Sequence, residues 1–217
     1  MSQTFSQWMN PVGRVLLVAL VASPFAIVGV AMAVVRSDFY TGTNAALDQP
    51  VPFSHAHHVA DVGLDCRYCH YSVERSEFAG IPDTRTCMTC HSQIWTGAAL
   101  LEPVRASLRT GEPLRWTRVH DLPDYVYFSH RIHVAKGVGC ETCHGRVDQM
   151  PLMRPVRAWH MQDCLECHRD PAPRLRPAAA VFTLGYTRAA GDPSPAELLR
   201  GFGIDVDRLD DCSICHR

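Results

Sequence analysis

The sequence is short of lysine, aromatic residues and net charge. Lysine and arginine together number 21, with Lys136 as the single lysine, and aromatic residues make up 8% of the 217 residues. A formal net charge of −1 lacks the basic excess of nucleic-acid binders, so we expect no nucleic-acid partner. Few aromatic residues leave little bulk for a core built from side chains alone. The hydrophobic content of 47% nevertheless excludes a fully disordered chain.

The sequence also has only one long apolar run. Residues 15–35 carry no charge, and a stretch of this length can cross a bilayer as a single helix, kinked at Pro24. A cleaved signal peptide is the alternative, because Ala31, Met32 and Ala33 resemble a small-x-small cleavage site. We expect an uncleaved single-pass anchor, since the stretch is longer than the usual apolar segment of a signal peptide.

Cysteine and histidine are in excess. The sequence has 10 Cys and 12 His, and all the cysteines fall into five Cys-x-x-Cys-His motifs, the attachment signature of haem c. In such a motif the two thiols form thioethers with the haem, and the adjacent histidine binds the iron from the proximal side. The cysteines are Cys66, Cys69, Cys87, Cys90, Cys140, Cys143, Cys164, Cys167, Cys212 and Cys215. The proximal histidines are His70, His91, His144, His168 and His216.

Structural zinc and disulfides are the alternatives for these cysteines. Neither explains why a histidine follows every pair, so we expect five covalently bound haem c groups. Covalent haem attachment takes place outside the bacterial cytoplasm. The haem domain is therefore expected in the periplasm, held at the inner membrane by the single anchor.

The remaining histidines include an internal duplication. The pattern Phe-Ser-His-x-x-His-Val occurs at residues 53–59 and again at residues 128–134, and two motifs follow each copy. Histidines three residues apart on one helical turn project from the same side. Each copy can therefore supply distal ligands to two neighbouring haems.

The stretch from Phe128 to His216 resembles the small cytochromes c7 and their cytochrome c3 relatives. The resemblance implies a mainly α-helical and irregular domain of the class III, c3/c7-like kind, with little or no sheet, behind an N-terminal transmembrane helix. Carried onto this sequence, the ligand order of that family implies five axial pairs: His55 with His70, His58 with His91, His130 with His144, His133 with His168, and His160 with His216.

Some ligand roles stay open. Met161 is the alternative to His160 for the last haem, and Met ligation would raise the potential of that haem. Asp83 stands where the first copy would have a third ligand. His57 is either a surface or a propionate-binding residue, and His120 is either structural or a reserve ligand of the second haem. Phe53 and Phe128 are expected to pack on haem faces.

Nearly the whole chain resembles the pentahaem cytochrome c subunit of bacterial alternative complex III, a quinol oxidoreductase. The resemblance rests on the anchor, the FSHxxHV pattern, DCRYCHYSVE, AGIPDTRTCMTCHSQIW, and VHDLPDYVYFSHRIHVAKGVGCETCHGRVDQMPL followed by CLECHR. It implies an electron relay from an iron–sulfur subunit to a cytochrome c or terminal oxidase, without catalysis by this chain. The implied partners are that iron–sulfur subunit, polytopic quinol-binding subunits and a monohaem cytochrome c. The alternative is a membrane-anchored quinol dehydrogenase cytochrome that feeds a periplasmic nitrite or nitrate reductase.

The sequence divides into five predicted segments. They are a membrane anchor at 1–37, a linker at 38–52, a diheme module at 53–100, a connector at 101–127 and a triheme c7-like module at 128–217. Prolines exclude a regular helix at 170–177, which is either a docking strap for another subunit or an extended loop. A short helix is expected at 196–201, capped by Ser194.

Overall fold

The computed structural model describes residues 6–216. Residues 1–5 of the predicted anchor and Arg217 at the end of the predicted triheme module lie outside this range. Two compact units form the chain, Met1–Thr43 and Asn44–Arg217. Both predicted haem modules therefore belong to the second unit.

The first unit is dominated by one long helix. Met9–Val35 is helical throughout, includes Pro24 and has no buried residue. Its mean hydropathy is 2.6 over the most apolar window, and the helix is long and apolar enough to cross a membrane. It ends at the last residue of the predicted apolar run. A one-turn helix, Asp38–Thr41, follows and ends at Gly42, whose φ of 68° suits glycine.

The second unit consists of short helices and irregular segments. Residues 6–216 contain no strand, and the one isolated bridge joins Val138 to Leu175. The predicted fold class is therefore confirmed. The five motif helices are Cys66–Cys69, Thr84–His91, Cys140–His144, Met161–Arg169 and Cys212–Cys215.

Two further helical segments carry the duplicated histidine pattern. Ala56–Asp61 is a π-helix, and His130–Ala135 is an α-helix. The other α-helices are Glu102–Thr110 and Pro195–Gly201. In the second of these, Ser194 caps the helix together with Glu197, which confirms the predicted cap and helix. Short 3-10 turns lie at Ala99–Leu101, Val147–Gln149, Ala172–Arg174, Ala178–Ala180 and Val206–Arg208.

The side-chain core is small. Eight hydrophobic side chains are buried in the described part of the chain. Three of them, Val51, Leu101 and Val104, form the one cluster, which packs on Trp116 and on Cys87 of the second motif. Side chains alone thus supply little interior, which fits a domain whose apolar bulk comes largely from bound prosthetic groups.

The proline-rich segment at 170–177 packs on its own module. Leu175 is 2% exposed and Arg176 is 6% exposed. The Arg176 guanidinium donates to Glu141 at 2.8 Å and to the carbonyl of Thr183 at 2.8 Å. Its backbone N–H donates to the carbonyl of Gly137 at 2.9 Å. Leu175 and Arg176 are therefore fastened beside the third motif, so these two side chains pack on the chain's own residues.

Candidate haem-binding sites

Three of the five expected axial pairs face each other at the spacing that an iron between them requires. An imidazole nitrogen binds a metal at about 2 Å, so two rings on opposite sides of one iron have their centres about 6 Å apart. The observed ring centroids are 6.1–6.2 Å apart in the pairs His58–His91, His130–His144 and His133–His168.

The donor set is also that of a haem site. The described residues contain no group of three or more His, Cys, Asp or Glu side chains placed to hold a metal ion by themselves, whereas structural zinc takes four protein ligands. Haem iron is bound by four nitrogens of its own porphyrin and needs two further ligands from the protein. The ten thiols are free, so they are available for thioether bonds. Histidine pairs beside thiol pairs therefore fit haem c.

Backbone carbonyls fix the orientation of most of these rings. A carbonyl can only accept, so each ring nitrogen Nδ1 that contacts one carries the proton, and Nε2 is left for iron. Seven histidines donate in this way, over distances of 2.7–3.4 Å. The pairs are His58 with Ser54, His70 with Gly80, His91 with Ile94, His130 with Glu77, His133 with Ser129, His168 with Leu209, and His216 with Tyr125.

The duplicated sequence pattern produces the same geometry twice. In each copy the phenylalanine stacks on the ring of the second histidine and meets the first histidine edge-on. The ring centroid distances are 4.3 and 4.9 Å around Phe53 and 4.5 and 4.8 Å around Phe128. In each copy the serine carbonyl accepts from Nδ1 of the second histidine at 2.8 Å. The Phe-Ser dipeptide therefore holds the histidines that are expected to be distal ligands, a role that the repetition of the dipeptide in the sequence signals.

His55 lies beside the first motif. Burial, followed by the charges of His70 and His58, lowers the pKa of His55 to about 4. The ring is therefore unprotonated at neutral pH, as an iron ligand must be. Its Nδ1 is buried without a hydrogen-bond partner. The structure thus brings His55 near His70, although no ring contact joins them in the described part of the chain.

The expected pair at the fifth motif is not brought together. His160 precedes the helix Met161–Arg169 as its N-cap, where its backbone N–H donates to Asp163 at 2.8 Å. Both candidate ligands are exposed, Met161 by 61%. Within residues 6–216 the ring stacked on His216 is that of Tyr125, with centroids 5.9 Å apart. The structure therefore gives no preference between His160 and Met161.

His120 lies against the third motif. Its ring meets that of His144 edge-on with centroids 4.4 Å apart, and its Nε2 is buried without a partner. Burial, followed by nearby histidines that include His120 and His130, lowers the pKa of His144 to about 3. The suggestion that His120 is a reserve ligand of the second haem finds no support, because its histidine neighbour belongs to the third motif.

His57 is exposed, and its ring meets that of His58 edge-on with centroids 5.5 Å apart. Its Nδ1 contacts Asp61 at 3.2 Å, and its ring stacks on the exposed Trp95 with centroids 6.4 Å apart. This environment supports the surface role among the two that the sequence left open.

Comparison with known proteins agrees with this donor set. The family described as cytochrome c7 and related cytochrome c matches residues 126–217, and the class III cytochrome c family matches residues 33–101. The chain is a multihaem c-type cytochrome. The two matches fall on the two halves of this cytochrome that carry the duplicated histidine pattern, and they imply covalently bound haem c.

The cytochrome is also similar to a curated protein. It is 38% identical over 99 residues to a protein of Nitratidesulfovibrio vulgaris named menaquinone reductase, multiheme cytochrome c subunit. The similar region is 45% of this chain and 46% of that relative, so the cytochrome spans about half the length of the curated relative it matches. A multihaem c-type cytochrome of the class III and c7-like kind implies electron transfer.

Proposed function

We propose that this cytochrome holds five haem c groups and relays electrons without catalysing a reaction itself. The observation that carries the proposal is the 6.1–6.2 Å spacing of three opposed histidine pairs. A bound haem c accepts and releases one electron at its iron. The two histidines of each opposed pair would hold the iron between them, which would leave no position on it for a substrate and would make the chain a carrier.

We place this relay in a membrane quinone oxidoreductase. The motif order and the apolar helix Met9–Val35 support a periplasmic haem domain anchored as in alternative complex III. Electrons would then pass from an iron–sulfur subunit, beside polytopic quinol-binding subunits, to a monohaem cytochrome c or an oxidase. The name of the Nitratidesulfovibrio vulgaris relative favours a second candidate with the opposite direction, in which electrons from the periplasm reach menaquinone.

The relay is tested on the purified full chain. Intact-mass measurement is expected to give five haem additions, and EPR of the oxidised protein is expected to give low-spin signals alone. Fewer additions, or a high-spin signal together with nitrite reduction or quinol oxidation by the isolated chain, would contradict a pure relay.

The direction is tested on the membrane complex that contains the chain. In the alternative complex III assignment, menaquinol added to the complex reduces oxidised cytochrome c. In the menaquinone reductase assignment, a reduced periplasmic cytochrome drives menaquinone reduction while the first reaction is slow. Electron delivery to nitrite or nitrate reductase alone would instead support a quinol dehydrogenase.

A further inference from the structure

The first and second motifs are direct neighbours. His55 and His58 lie three residues apart at the start of one helical segment, and the pairs expected from them involve the first and second motifs respectively. Tyr68 within the first motif and Thr89 within the second share a hydrogen bond of 2.6 Å between their hydroxyls. Two residues inside two separate attachment motifs are thus in contact.

The third motif meets the first motif, although the second is closer to it in sequence. The Arg67 guanidinium of the first motif lies 4.5 Å from the ring centre of Phe182, a residue of the second copy. Cys66 of the first motif and Cys140 of the third are electrostatic neighbours. His70 of the first motif is also an electrostatic neighbour of His144.

Main-chain hydrogen bonds fasten this junction. The carbonyl of Glu77, which follows the first motif, accepts both from Nδ1 of His130 at 2.8 Å and from its backbone N–H at 3.1 Å. The neighbouring carbonyl of Ser76 accepts from the N–H of Arg131 at 3.2 Å. The distal histidine of the third motif is therefore oriented by the segment attached to the first.

The fourth motif continues from the third. His130 and His133 lie on one turn, and their rings face those of His144 and His168 at 6.2 and 6.1 Å. Two axial pairs that share one turn must belong to adjacent haem sites. The third and fourth motifs are therefore neighbours.

The fifth motif joins the fourth. Nδ1 of His168 donates to the carbonyl of Leu209 at 2.7 Å, and Arg169 pairs with Asp210 at 3.1 Å. Leu209 and Asp210 lie three and two residues before Cys212, the first residue of the fifth motif. These bonds tie the proximal histidine of the fourth motif to the segment that carries the fifth.

Cysteine exposure agrees with the ends of such a series. Two of the ten cysteines are exposed, Cys90 of the second motif and Cys212 of the fifth. The cysteines of the first, third and fourth motifs are all partly buried. Interior motifs are covered by neighbours on two sides, whereas terminal motifs have one side left for solvent.

We infer that the chain holds its five attachment motifs in a single series whose spatial order is second, first, third, fourth, fifth. The inference rests on the proposed relay, to which it adds a path. In this order, electrons pass between the two copies through the first motif. The second motif is therefore one end of the series and does not connect the copies. A path that followed the sequence would place the second motif inside the series and the first at its end.

The inferred order gives the second haem one neighbouring haem and the first haem two, whereas the sequence order gives the second haem two and the first haem one. His58→Met is expected to give the second haem the highest potential of the five, because Met ligation raises the potential above that of bis-His ligation. In the partly reduced full chain that haem alone becomes diamagnetic. A diamagnetic haem no longer broadens the EPR signals of the haems next to it. The number of low-spin signals that become narrower therefore equals the number of its neighbours. The matched variant His55→Met does the same for the first haem.

We expect one signal to change in His58→Met and two to change in His55→Met. His133→Met, which marks the fourth haem, serves as a control with two neighbours in either order. Two changes for His58→Met and one for His55→Met would overturn the inferred order in favour of the sequence order. A variant that loses the marked haem removes the same paramagnet, so intact mass and the EPR count still decide the order. High-spin or absent haem in the unmodified chain would instead contradict the proposed relay.

Discussion

At the residue scale, adjacent histidines in this chain have different roles. His58 lies 6.2 Å from His91, centre to centre, and its Nδ1 is bonded to a carbonyl, whereas His57 pairs with Asp61 at the surface. The two residues are adjacent and their rings meet edge-on with centroids 5.5 Å apart, but each ring is held by a different partner. The expected ligand role of His58 can therefore be tested by comparing alanine variants of His58 and of the adjacent His57.

His58→Ala is expected to convert one haem from low-spin to high-spin, because it removes one axial ligand and leaves the iron five-coordinate. EPR and visible spectra of the oxidised chain measure this, and the high-spin fraction should be about one haem in five. His57→Ala is the matched control and should leave all haems low-spin. A high-spin signal in His57→Ala with none in His58→Ala would contradict the assigned pair.

The ligand of the fifth haem is a second residue-scale prediction. His160→Ala is expected to produce one high-spin haem, and Met161→Ala is expected to leave the spectrum unchanged. The reverse result would assign Met161, and a redox titration of the unmodified chain would then show one haem well above the other four, because Met ligation raises the potential.

At the scale of the elements, the helices that carry the second and fourth motifs correspond to each other but begin with different N-cap residues. Asp83 caps the helix Thr84–His91 and accepts from the backbone N–H and the hydroxyl of Thr86, both at 2.9 Å. His160 occupies the same N-cap position in the helix Met161–Arg169. The residue that stands in place of a third ligand in the diheme copy therefore has a structural function of its own.

Asp83→Ala is expected to lower the melting temperature by a few degrees and to leave the haem count at five, since it removes a cap and no ligand. The hydrogen bonds from Thr86 lower the pKa of Asp83. A lowered pKa in the folded state means that the cap stabilises above the unfolded-state pKa and is lost as the pH falls through the folded-state value. The difference between variant and parent should therefore vanish in acid.

Asp83→Asn is the matched control, because asparagine caps helices as well as aspartate does. It should keep most of the stability at neutral pH. A loss of one haem in either variant would show that Asp83 takes part in the haem site.

At the scale of the whole molecule, the third motif is closely packed within the haem domain. Glu141 within it pairs with the buried Arg176, and Gly139 before it packs so closely on Arg176 that a β-carbon would lie 2.3 Å from the guanidinium carbon. Cys212 of the fifth motif is exposed, whereas both cysteines of the third motif are partly buried. Since few hydrophobic side chains are buried, we expect stability to depend on the bound haems.

Removal of the third haem with Cys140→Ala and Cys143→Ala should lower the melting temperature far more than removal of the fifth with Cys212→Ala and Cys215→Ala. Calorimetry on chains whose mass shows four haems measures this difference. Equal losses would mean that the third motif is not the centre of the domain.

The sequence by itself determined the local chemistry: five attachment motifs, the two histidines three residues apart in each copy of the repeat, the apolar helix that ends at Val35 and the cap at Ser194. These features depend on residues a few positions apart, for which helical geometry fixes who shares a face. The tertiary structure alone brought Cys66 to Cys140, His120 to His144 and Arg176 to Glu141. These contacts join residues 24 to 74 positions apart, and over such separations the path of the chain, not its local spacing, decides which side chains meet.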